Sequence, residues 1–594
     1  GARILDRALD RRATPPEPLT AREVAVVYYT RGLMHQDFWR DWRSFGHLLS
    51  TAGGQLHCAK YTDQAHTSFT SGSEDNQWLI GFNTVCPTQF DSVMSAFFSS
   101  DSKLKEQEFL QMETAFDSAA AIDTSFADPL IALASEYVYG RMWEKAEPVA
   151  DQVRRRFPDD YRSWALSGLV QHELRHDSLA SLEFGQALIR MSDTVVASYD
   201  NIDDLLEPAQ QEWFAHADPM VRSRAVGAFW NSLDPLYVTP YNERKLEHYA
   251  RVASADLLFG SRTIGEIGSR SFAGKIWVRY GRPLNMRELT SSGGRVVFWN
   301  YGGDADITFI RGTTRTSYRG SDDAIAYARE LSTVRPQGYQ TTNFIDSVEA
   351  LDHQIVRFRG ADGTGQVLLY AAVPDKFSEQ TKAAAVLLDA QFQAVGEWRG
   401  PRPTVGGIRR QFNGVRTGLY SLTVELWDAS PRRLGRGRDT LSFRPDTTQA
   451  LQLSDLLLAA SIEAGPNGNT RTAGREALNI IPLYGTTLTQ NNPLALYWEI
   501  YGLKLNGDRV QYSVTVQVED AQKHPMLARL LGVTGQDKAP KITYDGNRQP
   551  ANGRVAEWLA ISSDLTPGPY KVLVTIEDKN ARTTRTVERA LTVK

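Results

Sequence analysis

Trp164-Ala-Leu-Ser-Gly168, followed by Ala180-Ser-Leu-Glu-Phe184-Gly-Gln-Ala187, is the stretch that decides the fold of the N-terminal half. A large and a small residue on one helix receive small and aromatic residues from the next, which is how two helices approach closely. A shift of 34 residues towards the N-terminus finds Leu130, Ala134, Ala146, Ala150 and Val153, with Pro158 where the second helix ends. A further shift reaches Met112, Phe116 and Ala119. Small residues recurring at close-approach positions with a fixed period predict stacked helix pairs that share a continuous core. Further out, Thr20-Ala-Arg-Glu23 reads as a capping box opening a long helix with Val24, Val26, Val27, Tyr28 and Leu33. On the other side, Leu205, Leu206, Trp213, Phe214, Val221, Ala225 and Phe229 keep helical spacing, so residues 1–235 are expected to be mostly α.

The periodicity then changes. Lys275-Ile-Trp-Val-Arg-Tyr280, Arg295-Val-Val-Phe-Trp-Asn-Tyr301 and Asp306-Ile-Thr-Phe-Ile-Arg311 alternate and predict strands. Beyond about residue 350 the pattern is all β. Gly418-Leu-Tyr420-Ser-Leu422-Thr-Val424-Glu-Leu426-Trp-Asp428 matches Gly568-Pro-Tyr570-Lys-Val572-Leu-Val574-Thr-Ile576-Glu-Asp578, 150 residues later. A turn, a Tyr, three alternating aliphatics and an Asp describe the final strand of a β-sandwich, with the Tyr at a corner. The fold class expected is multidomain, α then β. An α-solenoid occupies residues 1–235, an α+β block 236–345, one β-sandwich 346–445 and a second 446–594.

Two resemblances follow. Residues 105–192 resemble the tetratricopeptide (TPR) repeat family through the residues quoted above. The block joining helices to strands carries Phe229-Trp230, Asp234-Pro235, Arg244, Glu247-His-Tyr249-Ala-Arg251-Val252, Ala255-Asp256 and Ile276-Trp-Val-Arg279-Tyr280-Gly281-Arg-Pro283. With Trp299-Asn-Tyr301, Ser454-Asp455-Leu456 and Leu496-Tyr-Trp-Glu-Ile-Tyr501, it resembles the GWxTD-domain proteins of environmental bacteria. The most specific element is Arg279, Tyr280, Gly281 and Pro283. The resemblance implies helical repeats in front, sandwich-like domains behind, and export. The namesake Gly-Trp-x-Thr-Asp falls on Gly268-Ser-Arg-Ser-Phe272, where only the Gly is kept, so no role of the Trp, Thr or Asp carries over.

Lys+Arg of 66 against Asp+Glu of 70 gives a formal charge of -4, which excludes the basic footprint of a nucleic-acid binder. No apolar run reaches bilayer length; the closest, Ala383–Leu388, stops at Asp389. The sequence begins Gly1-Ala2, which fits a product of signal cleavage or a trimmed chain. Cys58 and Cys86 are the only cysteines, and with a polar loop between them they are expected to form a disulfide in an oxidising compartment; two buried thiols are the alternative.

His172-Glu-Leu-Arg-His176 has the zinc-peptidase spacing. The repeat register, however, ends a helix there, with Asp177-Ser178 opening the next, so the match is read as chance. Gly268…Gly274-Lys275 approximates a phosphate loop with the wrong spacing and Ile276 where a Ser or Thr belongs, and reads as a turn before a strand. Gly360-Ala-Asp-Gly363-Thr-Gly365 reads as a hairpin turn, while Asp203-Asp204 and Asp304-Ala-Asp306 lack a calcium loop and read as solvated charges. No catalytic, metal or cofactor site is expected. The expected function is an extracellular, periplasmic or cell-surface scaffold acting by protein–protein contact. It would be a coat or accessory subunit of a larger assembly, whether a filament or envelope complex or one built with copies of itself. The alternative is a hydrolase or glycan-binding protein with its site in the central block.

Overall fold

The computed structural model describes residues 19–40 and 89–594, apart from 207, 261–266, 284, 292–293, 302–305, 312–317, 321–344, 361–363, 404–405, 445–449, 465–474, 522–540, 551–552 and 562–564. A helical region is followed by a predominantly β region with several sheets. Contacts divide the chain into two compact units, Gly1–Val226 with Tyr241–Gln340, and Gly227–Pro240 with Thr341–Lys594. Cys58 and Cys86, and hence their predicted pairing, lie outside the described residues, as does Asp304.

In the first unit, α1 (Ala21–Arg40) opens on the predicted capping box. The Thr20 N–H donates to Glu23 Oε2 at 2.8 Å and the Glu23 N–H to Thr20 Oγ1 at 3.3 Å. There follow α2 (Gln89–Ile122), α3 (Asp128–Gly140), α4 (Trp143–Arg156), α5 (Tyr161–Glu173) and α6 (Asp177–Arg190). The turns α3–α4 and α5–α6 are copies at the 34-residue spacing. Arg141 and Arg175 adopt left-handed φ of 56° and 67°. The next N–H closes each turn, Met142 onto Tyr137 O and His176 onto Gln171 O, both at 2.8 Å.

Leu130, Ala134, Ala146, Ala150, Val153, Ala180, Phe184 and Ala187 are all buried, as are Met112, Phe116 and Ala119. A Cβ on Gly168 would sit 3.0 Å from the Phe184 ring, so the glycine lets α5 and α6 touch. Trp164 is half-buried; its indole N–H donates to Pro158 O at 2.7 Å, and the guanidinium groups of Arg154 and Arg190 lie 5.5 and 4.7 Å from the ring centre. Arg162 reaches Asp128 on the preceding pair at 2.9 Å. The first pair departs from strict periodicity. Gly32 of α1 lies under Phe116 of α2, as Gly168 lies under Phe184, whereas the 34-residue period places the partner at Ser100, inside α2 itself.

The unit continues through α7 (Asp193–Tyr199), α8 (Pro208–His216), and, after α9 (Pro219–Ser232), through α10 (Glu243–Phe259) and α11 (Phe272–Tyr280). The strand predicted at Lys275–Tyr280 is therefore helix. Over so short a helix the alternation of Ile276, Val278 and Tyr280 looks like one strand face and competes with the helical pattern. The ends do carry helix signals: Ser271 Oγ accepts the Gly274 N–H at 3.0 Å, and Gly281, at φ 77°, ends the helix. Gly268 and Gly274-Lys275, read as a turn, thus lie in a 3-10 segment (Gly268–Arg270) and in α11. Strands β1 (Asn285–Ser291), β2 (Gly294–Asn300), β3 (Asp306–Arg311) and β4 (Tyr318–Gly320) form an antiparallel sheet in sequence order.

The second unit holds two two-sheet modules. The first contains β5 (Ser347–Ala350), β6 (His353–Arg359), β7 (Gly365–Ala371), β8 (Lys382–Asp389), β9 (Ala394–Pro401), β10 (Ile408–Val415), β11 (Gly418–Ala429) and β12 (Arg432–Phe443). Its sheets run β10-β7-β6 and β5-β12-β11-β8-β9. Val367 and Leu369 of one share a core with Leu387, Leu422, Val424 and Leu426 of the other. The antiparallel pair β6–β7 flanks the predicted Gly360–Gly365 turn.

The second module contains β13 (Gln452–Leu453), β14 (Leu457–Ala464), β15 (Leu478–Pro482), β16 (Thr487–Leu488), β17 (Leu494–Tyr501), β18 (Leu505–Asn506), β19 (Arg509–Asp520), β20 (Lys541–Arg548), β21 (Arg554–Ile561), β22 (Gly568–Asp578) and β23 (Thr583–Val593). Its sheets run β13-β17-β14-β15, with β21 also on β17, and β16-β23-β22-β19-β18, with β20 also on β19. Leu496 and Trp498 meet Val514, Val516, Val574 and Ile576 between them.

The 150-residue echo has a structural meaning. β11 lies between β12 and β8 as β22 lies between β23 and β19, and β12 and β23 each take a short parallel partner, β5 and β16. The hydroxyls of Tyr420 and Tyr570 donate to Arg416 O and Thr566 O, each at 2.9 Å. The echoed strand, expected to come last, is the penultimate one in both modules. A third apolar cluster joins the modules: Val356, Phe358, Leu368 and Tyr370 pack on Leu457, Ala459, Ala495 and Tyr497. Strands β6 and β7 are thereby buried on both faces, which is why Gln366–Ala371 reads as a nearly continuous apolar run.

Candidate functional site

The two motifs that drew attention in the sequence, His172-Glu-Leu-Arg-His176 and Arg279-Tyr-Gly-Arg-Pro283, meet in one buried chain of charges in the first unit. His172 is 2% exposed at the end of α5. Its Nδ1 bonds Asp177 Oδ1 at 2.7 Å, its Nε2 bonds Glu247 Oε2 at 2.9 Å, and Glu247 Oε1 accepts from Arg251 Nε at 2.7 Å. Arg251 Nη1 then donates to the carbonyls of Val278 and Arg279 at 3.3 and 3.1 Å. A cation on the last carbonyls of α11 suits the negative end of that helix.

Local sequence explains the placement. Glu247 and Arg251 are one turn apart on α10, and α5 stops after Glu173, so His172 faces α10 while Glu173 and His176 are exposed. Gly281 fits because any Cβ there would lie 3.1 Å from the Arg251 guanidinium. Tyr301 donates to Gly281 O at 3.0 Å, the rings of Tyr280 and Tyr301 are 5.8 Å apart, and Pro283 is buried. Arg279 points the other way and donates to Leu206 O at 3.3 Å and to Asp204 O. Gly268 is held to a glycine because a Cβ there would strike Ala255 O of α10.

Burial opposes the charge on His172, but hydrogen bonds to Asp177 and Glu247 together outweigh it and raise the imidazole to about 10. The surroundings of Glu247 likewise oppose its charge, and Arg251 with His172 overcomes them and holds the carboxylate well below its usual range. At neutral pH His172 therefore keeps its second proton and Glu247 its negative charge. An imidazolium that donates from both nitrogens has no lone pair for a metal or a substrate proton, and His176 bonds Gln171 Oε1 at 2.8 Å instead of converging on it. What the row does chemically is tie α5, α6, α10 and α11 together. Among the described residues no group of three or more His, Cys, Asp or Glu is placed to hold a metal ion. Asp204, read as a solvated charge, is instead half-buried, and burial pushes its carboxyl up, with Lys275 Nζ 3.8 Å away.

The remaining resemblance residues form a second network, at the joint of the β modules. Asp455 accepts from Arg357 Nε at 2.7 Å, and Ser454 Oγ accepts the Glu499 N–H at 2.9 Å. Fully buried Glu499 accepts from Tyr497 at 2.8 Å and Tyr501 at 2.6 Å, with Arg554 3.5 Å away. The sequence reading missed the roles of Asp177, Glu247 and Glu499. For the first two the one available signal is the Glu247–Arg251 spacing on a helix. Nothing local links residue 172 to residue 247.

No protein-family model matches the sequence, and no curated relative matches it. Among solved structures, red sea bream transglutaminase is 12% identical, with 56% of this chain and 44% of that chain covered at a TM-score of 0.14. A β-glucuronidase of Bacteroides uniformis is 11% identical over 39% of this chain and 26% of that one, at 0.15. Elastase-activated α-2-macroglobulin of Escherichia coli is 8% identical over 51% and 25%, at 0.14. The chain spans less than half the length of each of these proteins.

Proposed function

We propose that this protein is a non-catalytic scaffold that acts by protein–protein contact, as a coat or accessory subunit of an assembly at the cell envelope or outside the cell. In this reading the helix pairs are a tetratricopeptide-like solenoid, the central block is a divergent GWxTD-type module, and the β modules are two sandwiches.

The observation that carries it is an apolar row on α6. Leu179, Leu182 and Ile189 are 43, 69 and 76% exposed on one side of a helix whose other side holds Ala180, Phe184 and Ala187 in the core. Around it the flanking positions Ser178, Gly185 and Gln186 are uncharged. Water gains nothing from such a row, and a partner that covers it recovers the hydrophobic term. The charged motifs, by contrast, are engaged in holding helices together.

The test is native-extract sizing with cross-linking, comparing wild type with Leu182→Glu/Ile189→Glu. Migration in a high-mass complex that the double variant leaves, while keeping its helical circular dichroism, supports the scaffold. A wild-type monomer in native extract, together with turnover of a peptide or glycan, sinks it.

A further inference from the structure

The two β modules share a topology but not an outer face. On the β19–β22 sheet the outward positions are polar except for Leu573: Ser513, Thr515, Gln517, Lys571, Thr575 and Glu577 alternate with core residues. On the equivalent sheet of the first module, β8 and β11 are buried on both sides. Their outward positions carry Ala384, Val386, Leu388, Glu425 and Trp427, and the segment Asp234–Thr239, far away in sequence, lies on them.

That segment is held as a bound peptide is held, through its main chain and its apolar side chains. Glu425 Oε2 accepts the Val238 N–H at 3.0 Å, Arg399 Nε donates to Tyr237 O at 2.7 Å, and Arg436 donates to Pro235 O. Leu236 and Val238 pack with Ala384, Trp427 and Leu434, while Tyr237 packs on Val386 and Leu388. The segment also carries its own shape. Asp234 Oδ1 accepts the Leu236 N–H at 3.0 Å, Leu236 O accepts Thr239 Oγ1 at 2.8 Å, and Pro235 and Pro240 stiffen its ends. A knob whose conformation is fixed locally loses little entropy on docking, whichever chain it belongs to.

We infer that this outer face is a recognition groove for the sequence Asp234-Pro-Leu-Tyr-Val-Thr239, and that it accepts the knob of a second copy of the chain as well as its own. Exchange is permitted by identity of chemistry: a copy brings the same turn, the same carbonyls and the same apolar side chains, so protein concentration decides how much of it occurs. The inference goes beyond the scaffold reading and draws nothing from the apolar row on α6.

The test uses the full-length chain and a fluorescent peptide of residues 231–240. In wild type the groove is filled in cis, so apparent affinity falls by the fraction of open grooves; emptying it with Leu236→Asp/Val238→Asp is expected to tighten peptide binding at least about tenfold. Adding Arg399→Leu is expected to weaken that binding again, by removing the bond to the Tyr237 carbonyl. A concentration-dependent dimer in light scattering, lost in the double variant and blocked by excess peptide, is expected for exchange. Should the double variant lose its β circular dichroism, Leu236→Ser replaces it. No peptide binding by a folded emptied variant, binding indifferent to Arg399→Leu, a dimer that survives the double variant, or a monomer at every concentration would each overturn the inference.

Discussion

At the scale of single residues, the most telling group is His172. Its folded value of about 10 lies above the roughly 6.5 of an unfolded histidine, so its contribution is full below about 6.5 and is lost as pH rises from there through about 10. Glu247 runs the opposite way: its contribution is present above roughly 4.5 and is lost as pH falls below it. The helical unit is therefore expected to be most resistant between these limits. His172→Gln should flatten the alkaline decline between about pH 7 and 10 and, by breaking a buried pair, cost roughly 3–5 kcal/mol near neutrality. Denaturant melts followed by helical circular dichroism check this; equal alkaline slopes for the two chains would falsify it. Arg175 gives a second case. A left-handed backbone carries a steric cost of roughly 1–2 kcal/mol for a residue with a Cβ, so Arg175→Gly is expected to raise stability by roughly 0.5–1 kcal/mol, read as a higher midpoint in the same melts. Neither feature was visible as such in the sequence. The histidine announced itself through a peptidase motif, and only the helix end at Glu173 and a carboxylate 75 residues away give it its role.

At the scale of elements, legibility tracks repetition along the chain. The close-approach residues of α3 to α6 repeat every 34 residues, so both their pairing and their small residues were readable although α3 and α5 are buried nearly all round. Gly168→Ala places a methyl 3.0 Å from the Phe184 ring and is expected to cost about 1–3 kcal/mol; Phe184→Leu in the same chain should recover part of it, because the clash is with the ring. A cost that Phe184→Leu fails to reduce, read from melts of both chains, would place the strain elsewhere. Two elements defeated the same reading. Helix α11 is short and belongs to no repeat, and its caps, Ser271 and Gly281, are the signals that betray it. The partnership of α1 with α2 hides because the residues between them, 41–88, break the period, although Gly32 under Phe116 repeats the Gly168 contact.

At the scale of the whole β unit, the echo of Tyr420 and Tyr570 revealed two like modules but not their union, because face-to-face packing of sheets leaves no trace in spacing. The union is substantial. Phe358 and Tyr370 from one module and Tyr497 from the other are each no more than 2% exposed, and Phe358 and Tyr497 stand 5.8 Å apart. Around them, Arg357–Asp455 and the two hydrogen bonds of Gln354 to the main chain of Leu458 satisfy the polar groups that the contact desolvates. A sheet buried on both sides belongs to two cores at once, so neither core survives loss of the other intact. Phe358→Ala empties a site between the modules and is expected to cost about 3–5 kcal/mol. The cost should appear in both modules together: amide protection on β11 and on β22 should fall by similar factors, although no residue of β22 belongs to the substituted residue's core cluster. Hydrogen exchange resolved by peptide distinguishes the outcomes. Loss confined to β11, with β22 unchanged, would mean that the modules fold independently and that the shared cluster is a contact rather than a common core.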